Sequence, residues 1–405
     1  MAEPLIVDQD DRYSRLRLIG WWDQAKLQRS RVLVVGAGAL GNEVIKNLVM
    51  VGVGHLIVID LDTIENSNLT RSVLFRARHE GQSKAHVAAE MASEINPDVV
   101  ITPIRGNVMT ELGLGLFRDI DVAIGCLDNR EARLWVNRCC WKTSTPWIDA
   151  GIQEISGVVK VFTPPESPCY ECGMTENDYK LINLRYSCPL LPREDLLAGK
   201  VPTAPTSASI MAAIEVQEAL KVMHGLPVKG GEAYVYSGLT NQFYTTRYQR
   251  KEDCLSHDTY PTAIDLPLSS ETATAKDLFT AAAAHLPGEG PLTLHLDRDL
   301  VTGMKCAQCG AVREIVRASP LVTFRDAVCE CREVMSVDRT HAIDESSPWS
   351  DRPLKTLGIP LYDIVRITRE ATGEEGFFLL AADRDRVLVK LPADAASREK
   401  KEPAQ

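Results

Sequence analysis

The feature that most restricts how this chain can fold is a glycine-rich turn between an apolar run and a helical pattern: RVLVV from Arg31, then Gly36-Ala-Gly38-Ala-Leu-Gly41. Such a run reads as a buried strand. The glycines after it allow a tight turn into a helix whose first backbone N–H groups face an anion. Gly36, Gly38 and Gly41 are therefore candidates for cradling a nucleotide phosphate. The alternation continues, with a helix over 40–51, the strand HLIVID, a helix over 83–95 stopped by Asn96-Pro97, the strands VVITPI and DVAIG, a helix over 131–141 and the strand PWIDAG. Strands alternating with helices predict an α/β fold with a mainly parallel sheet. After Thr163 a long connection over 164–205 is crowded with Pro, Cys and charge, and connections of that length usually carry function. A helix over 206–223 and strands near 232–237 and 242–250 complete this unit.

The expected organisation is a large domain over 1–260, a linker with an Ala-rich helix over 261–290, a small β-rich module over 291–392 and a disordered tail over 393–405. No stretch of 18 apolar residues is free of charge, so no membrane span is expected. The first residues, MAEPLIVDQDDRYSR, are acidic where a signal peptide needs a basic segment, which makes a cytoplasmic location the natural expectation. A net charge of −10 argues against nucleic acid as the main partner, since that affinity comes from clustered Lys and Arg. Eleven cysteines without an export signal favour metal ligands and a nucleophile over disulfides.

Asp60 ends the second strand, where a dinucleotide fold places the acid that binds a ribose hydroxyl, and to this point an NAD-dependent dehydrogenase fits equally well. The next residues separate the two. Asp60-Leu-Asp62-Thr-Ile-Glu-Asn-Ser-Asn68-Leu-Thr-Arg71 gathers acid, amide and guanidinium groups, and Lys84 adds an ammonium at the head of a helix. Two fixed cations suit a triphosphate, because adenylation builds charge on the α-phosphate and the departing pyrophosphate and hydride transfer does not. Asp128, in GCLDNR, follows the fourth strand, where a carboxylate for Mg²⁺ would stand. Each charge alone reads as a solvated surface residue; Arg71, Lys84 and Asp128 together at strand ends and a helix start do not.

Cys169-Tyr-Glu-Cys172 has knuckle spacing, and Cys254-Leu-Ser-His257 supplies a second pair, together a Cys₃His set suited to tetrahedral Zn²⁺. Cys306-Ala-Gln-Cys309 and Cys329-Glu-Cys331 form a second candidate set. Spacing leaves mixed pairing open, with Cys169 and Cys172 joined to Cys306 and Cys309. Either way four protein ligands make a structural site. Cys126, Cys139 and Cys140 fall on apolar positions and read as buried thiols.

Through RYSRLRLIG, VVGAGALGNEVIKNLVMVGVGHLIVIDLDTIENSNLTR, GQSKA and CLDNREAR, about residues 10–260, the sequence resembles the ThiF/MoeB/E1 superfamily. The resemblance implies a Rossmann-like adenylation domain that binds ATP on the glycine turn. It further implies a ribose contact at Asp60, nucleotide and phosphate contacts at Asn68, Arg71 and Lys84, and metal or adenylate positioning at Asp128. Arg15 matches an arginine that family members donate across a homodimer interface to the neighbour's phosphates; from composition it is a surface charge. A zinc held by two C-x-x-C pairs is common in the family, and His257 here stands where the fourth thiolate would be. E1 enzymes carry their catalytic cysteine in the crossover connection, where Cys188 stands unpaired, with Arg185 and Arg193 near enough in sequence to lower its pKa. CPLLPREDLLAGKVPTAPTSASI resembles the version in E1-like enzymes of bacterial ubiquitination-like antiphage operons, the BilD type.

The expected reaction is MgATP-dependent adenylation of the C-terminal Gly of a ubiquitin-like protein, capture on Cys188 and transfer to an E2-like protein recruited by the C-terminal module. The alternatives are a sulfur-carrier adenylyltransferase of the thiamin or molybdopterin type and a non-catalytic scaffold subunit.

Overall fold

The computed structural model describes residues 11–180 and 202–391, so Cys188, Arg185 and Arg193 lie outside the described residues. Helix α1 (Gln24–Arg29) is capped by the Asp23 carboxylate and leads into β1 (Arg31–Val35), which is buried along its length. Val32 and Val34 enter one core, and Leu33 and Val35 the other. This is the division expected of a strand covered on both faces. The chain then alternates through α2 (Ala39–Val51), β2 (His55–Asp60), α3 (Lys84–Ile95), β3 (Val100–Arg105), α4 (Val108–Glu111), α5 (Leu114–Asp119), β4 (Val122–Gly125), α6 (Arg130–Lys142) and β5 (Trp147–Gln153).

β1 to β5 are parallel, and β6 (Ser156–Phe162), β7 (Glu232–Ser237) and β8 (Gln242–Arg247) extend the sheet antiparallel in the order β3-β2-β1-β4-β5-β6-β7-β8. Helix α7 (Pro205–His224), with Pro in its first turn, packs beside α2 and α3 on one face, while α4, α5 and α6 cover the other. The result is the mixed, mainly parallel sheet anticipated from the glycine turn. No described helix is long and apolar enough to cross a membrane.

Beyond this sheet lies a second of six strands, order β11-β10-β13-β14-β9 with β12 on β10. Its first strand, β9 (Ile264–Leu266), falls in the stretch read from sequence as linker and helix, and pairs parallel with β14. Three residues are too few to show a period-2 pattern. Helix α8 (Ala275–Ala283) starts at a Thr274–Asp277 capping box. The remaining strands are β10 (Leu292–Lys305), β11 (Val312–Ala318), β12 (Ser336–Asp344), β13 (Ile364–Arg369) and β14 (Glu375–Leu380). Apart from the main core of this sheet, a small cluster of Val301, Met304, Val322, Ala327 and Met335 closes around Cys306 and Cys329.

The second sheet docks on the α4–α6 face of the first. Tyr362, Ile364 and Leu379 share a core with Leu114, Phe117 and Trp141. Asp363 accepts the Leu114 N–H at 2.6 Å and pairs with Arg298 at 3.4 Å, both side chains only 4% exposed. Arg298 also donates to the carbonyls of Met109 and Leu112, and lies 4.4 Å from the Trp135 ring centroid.

Candidate active site

The glycine turn is closed by backbone contacts that admit no side chain. Gly36 has φ 101°, and a Cβ there would lie 2.4 Å from the Cys126 carbonyl oxygen; at Gly41 it would lie 1.9 Å from the Gly36 oxygen. Gly38 differs, because a Cβ there would meet nothing within 4 Å. Packing does not require that glycine, so its open side is available to a ligand that must approach the backbone closely.

Asp60, at the end of β2, is fastened to this turn: its carboxylate accepts the Ala37 N–H at 2.7 Å and the Asp62 N–H at 2.8 Å. Burial raises its pKa from the usual carboxylate value, opposed by the nearby Lys84 ammonium and by these N–H groups. The segment after β2 is zipped to the head of α3 by Ile64 N–H to Gln82 O at 2.8 Å and Lys84 N–H to Asp62 O at 3.1 Å. That pairing sets the Lys84 ammonium on Asp62 at 3.0 Å. Asn68 sits in a one-turn helix, where its Oδ1 accepts the Glu65 N–H at 2.9 Å. Arg71 stands on the rim with Nη1 on the Ser67 carbonyl at 3.0 Å. Asp128 is exposed two residues beyond Cys126, the residue against which Gly36 packs.

Gly36, Gly38 and Gly41 thus follow β1, Asp60 ends β2 with Asn68, Arg71 and Lys84 on the chain that follows it, and Asp128 follows β4, all three strands being neighbours in the parallel sheet. Arg15 is elsewhere. Tyr13 packs on Gly52 and accepts a 2.7 Å hydrogen bond from Asn96, at the far end of α2, about 20 Å from the turn at 1.5 Å per residue. Arg15, two residues on, is exposed. Within its own chain it does not join these residues.

Three residues with no role in the sequence reading hold the site in shape. Asn42, wholly buried, donates to the Ala37 and Gly38 carbonyls at 2.7 and 3.0 Å and accepts the Leu74 N–H at 2.9 Å, tying the turn to the segment that carries Arg71. Arg133, one turn into α6, donates to the carbonyls of Leu127 and Ala150 at 2.5 and 2.8 Å and to Asp149 at 2.9 Å, which fixes the backbone just before Asp128. Asn42 gave no signal, because one of its three partners, the Leu74 N–H, lies 32 residues along the chain. The thiols of Cys139 and Cys140 are buried, and burial pushes Cys139 up to about 12, so neither is a ready nucleophile.

Both cysteine sets converge, and the mixed pairing is not adopted. Cys169, Cys172, Cys254 and His257 bring their ligand atoms within 4.8 Å of one another, as do Cys306, Cys309, Cys329 and Cys331. Tetrahedral zinc with Zn–S near 2.3 Å separates ligand atoms by about 3.8 Å, and somewhat less for S and N. Measured separations are 3.7 Å for Cys169–Cys172, 3.5 Å for Cys169–Cys254, 3.3 Å for Cys172–His257 Nε2, 3.6 Å for Cys306–Cys331 and 3.5 Å for Cys309–Cys329. Both donor sets fit that ion. Zinc in either would be closed to substrate and would staple loops: the first set ties the loop after β6 to the segment after β8, and the second ties the turn after β10 to the loop before β12.

A glycine turn open to a ligand at one position, with an acid fastened beside it at the C-terminal ends of parallel strands, suits a nucleotide-binding α/β fold. The ThiF family model matches residues 11–256, and the chain belongs to that family. It is 41% identical over 164 residues to SUMO-activating enzyme subunit 2 of Dictyostelium discoideum, across 40% of this chain but only 25% of that protein. It is 30% identical over 247 residues to the sulfur carrier protein ThiS adenylyltransferase of Escherichia coli, across 60% of this chain and 93% of that one. Ubiquitin-like modifier-activating enzyme 5 of Arabidopsis thaliana is 28% identical over 290 residues, across 66% of this chain and 64% of its own. Among solved structures, E. coli MccB with ATP superposes with a TM-score of 0.51 at 25% identity, across 62% of this chain and 74% of MccB.

Proposed function

We propose that this chain is an E1-like activating enzyme that adenylates the C-terminal Gly carboxylate of a ubiquitin-like protein. A carboxylate oxygen attacks the α-phosphorus of ATP, the bond to the bridging oxygen breaks, and pyrophosphate leaves an acyl-adenylate. Arg71 and Lys84 stabilise the charge that accumulates on the phosphates, and Asp60 holds the ribose. Asp128 would hold Mg²⁺, which supplies further charge neutralisation on the triphosphate. The Cys188 thiolate then attacks the acyl carbon, AMP departs, and the thioester passes to the thiol of an E2-like protein. Arg15 serves the partner's phosphates in a homodimer, and the setting is a bacterial conjugation pathway of the antiphage kind. The observation that carries the proposal is Gly38, where a Cβ would meet nothing within 4 Å although Gly36 and Gly41 on either side are locked by backbone, with Asp60 fastened to the adjacent Ala37 N–H and Lys84 paired to Asp62.

A second reading, sulfur-carrier activation, is favoured by the ThiS adenylyltransferase likeness, which spans 93% of that relative. ATP–pyrophosphate exchange with a purified Gly-ending partner tests both. Arg71→Ala and Lys84→Ala are expected to lower exchange by about 10²–10³-fold each. Cys188→Ala should keep exchange and lose the adduct that reducing agents release. An adduct surviving in that variant removes Cys188 from the mechanism, and the absence of exchange with any partner leaves a non-catalytic scaffold.

A further inference from the structure

Helix α6 grips the first cysteine set with three side chains. Asn137, wholly buried, accepts the Tyr170 N–H at 2.9 Å through its Oδ1. Arg138 donates to Glu171, inside the knuckle, at 2.9 and 3.4 Å, and the Trp141 indole stacks on the His257 ring with centroids 5.5 Å apart. Asn137 and Arg138 lie four and three residues before Trp141, so all three fall on one side of the helix. The bond to Tyr170 leaves the Asn137 amide one orientation, with Nδ2 turned the other way. Nδ2 is buried, has no hydrogen-bond partner among the described residues, and faces the Cys169 sulfur without bonding geometry. A thiol sulfur is a weak acceptor, whereas a zinc-held thiolate carries charge and accepts strongly. The neighbouring ligand Cys172 accepts a main-chain donor, the Lys251 N–H, at 3.4 Å. Asn137 is the side-chain counterpart for Cys169.

The same helix begins at the candidate active site. Asp128 stands just before it, and Arg133, one turn before Asn137, holds the Leu127 carbonyl and Asp149. From Asp128 to Asn137 is about 14 Å along the axis at 1.5 Å per residue. We infer that Asn137 is a positioning residue for zinc in the first cysteine set, donating Nδ2–H to the Cys169 thiolate, and that α6 couples zinc there to MgATP at its other end. The coupling rests on the adenylation reading, in which Asp128 holds Mg²⁺. Zinc fixes the knuckle and His257, and Asn137, Arg138 and Trp141 fix the helix on them. Without zinc the knuckle loses its centre, and Arg133 no longer holds the backbone before Asp128 in one position. Each ligand therefore binds better in the presence of the other, by the same factor.

The test draws zinc from the full chain with a chromophoric chelator, each cysteine set giving one phase; the phase that survives in Cys309→Ser belongs to the first set. Asn137→Asp keeps the acceptor for the Tyr170 N–H, removes the donor and sets a carboxylate beside the thiolate. It should weaken zinc in the first set by about 10–100-fold and leave the second set unchanged. Cobalt in place of zinc reads the sulfur directly: loss of the donor should move the thiolate-to-metal charge-transfer band to longer wavelength, a change that a merely structural asparagine would not produce. Zinc affinity within about twofold of the parent, or an unmoved band, overturns the role of Asn137. Isothermal titration of MgATP into zinc-loaded and zinc-stripped chain should differ by at least about fivefold, in the parent and in Cys309→Ser alike, and saturating MgATP should tighten zinc in the first set by the same factor. MgATP affinity indifferent to zinc overturns the coupling. A zinc-loaded chain that binds no MgATP retires the nucleotide reading together with the coupling, whereas MgATP binding with zinc affinity and cobalt band unmoved in Asn137→Asp retires Asn137 and leaves that reading standing.

Discussion

Gly38 and Gly41 are three residues apart and serve different masters. At Gly41 an alanine Cβ would press on the Gly36 carbonyl at 1.9 Å, so Gly41→Ala must distort the turn itself and is expected to lower the melting temperature and abolish ATP binding. At Gly38 there is room, so Gly38→Ala should melt like the parent and yet bind ATP at least about tenfold more weakly. Calorimetry and nucleotide titration on the two variants check this; equal melting losses would show that Gly38 is needed for packing. Glu215 of α7 makes a second case. It is wholly buried, neither oxygen reaches a hydrogen-bond partner, and the Ala150 N–H faces it without bonding geometry. Burial, then the charge of Asp149, raises its pKa well above the usual 4.5. A carboxyl raised in the folded state contributes stability that is complete below about 4.5 and lost as pH climbs through the folded value. Glu215→Gln removes that slope, so its melting temperature should exceed the parent's at pH 8 and by less at pH 5. Single-residue chemistry was readable from sequence where type and neighbours suffice, as at Gly36, Asp60 and Lys84. It was not readable at Asn42, whose bond to the Leu74 N–H joins the turn to a segment 32 residues on.

Helix α6 is the element that joins the site to the rest of the molecule. Asn129 caps it, accepting the Ala132 N–H at 2.8 Å, which sets Asp128 immediately before the first turn. One turn on, Arg133 grips the loop from behind. Its later turns face the second sheet, with Trp135 under Arg298 and Lys142 on Asp297 at 2.5 Å. Arg298→Met would strand the buried Asp363 carboxylate and leave two carbonyls unpaired, and is expected to cost about 3–5 kcal/mol in denaturant unfolding. A loss under about 1 kcal/mol would show that the apolar contacts of Tyr362 and Leu379 hold the dock unaided. The helix itself was legible in sequence to within a residue at each end. Its second role was not, because hydrophobic periodicity reports that a face is buried and not what covers it.

At the scale of the whole molecule, two cysteine sets punctuate two sheets. Metal analysis is expected to find two zinc ions per chain, and Cys309→Ser to leave one. Because the small β10–β12 core has few buried residues of its own, that variant should lose amide protection over 300–340 and keep ATP binding. Cys169→Ser should instead loosen the knuckle carrying Tyr170. Loss of protection across both sheets in Cys309→Ser would mean that the small core supports the dock. The sequence by itself determined the parallel sheet, the glycine turn, the order of acid and cations along the chain and the pairs C-x-x-C, because these are local patterns that repeat with the period of a strand, a helix or a metal knuckle. Which knuckle meets which pair, where β9 inserts and how Arg298 pins one sheet to the other were decided only in the tertiary structure. Those choices join residues up to about two hundred positions apart, and only the competition among packed faces and buried charges can settle them.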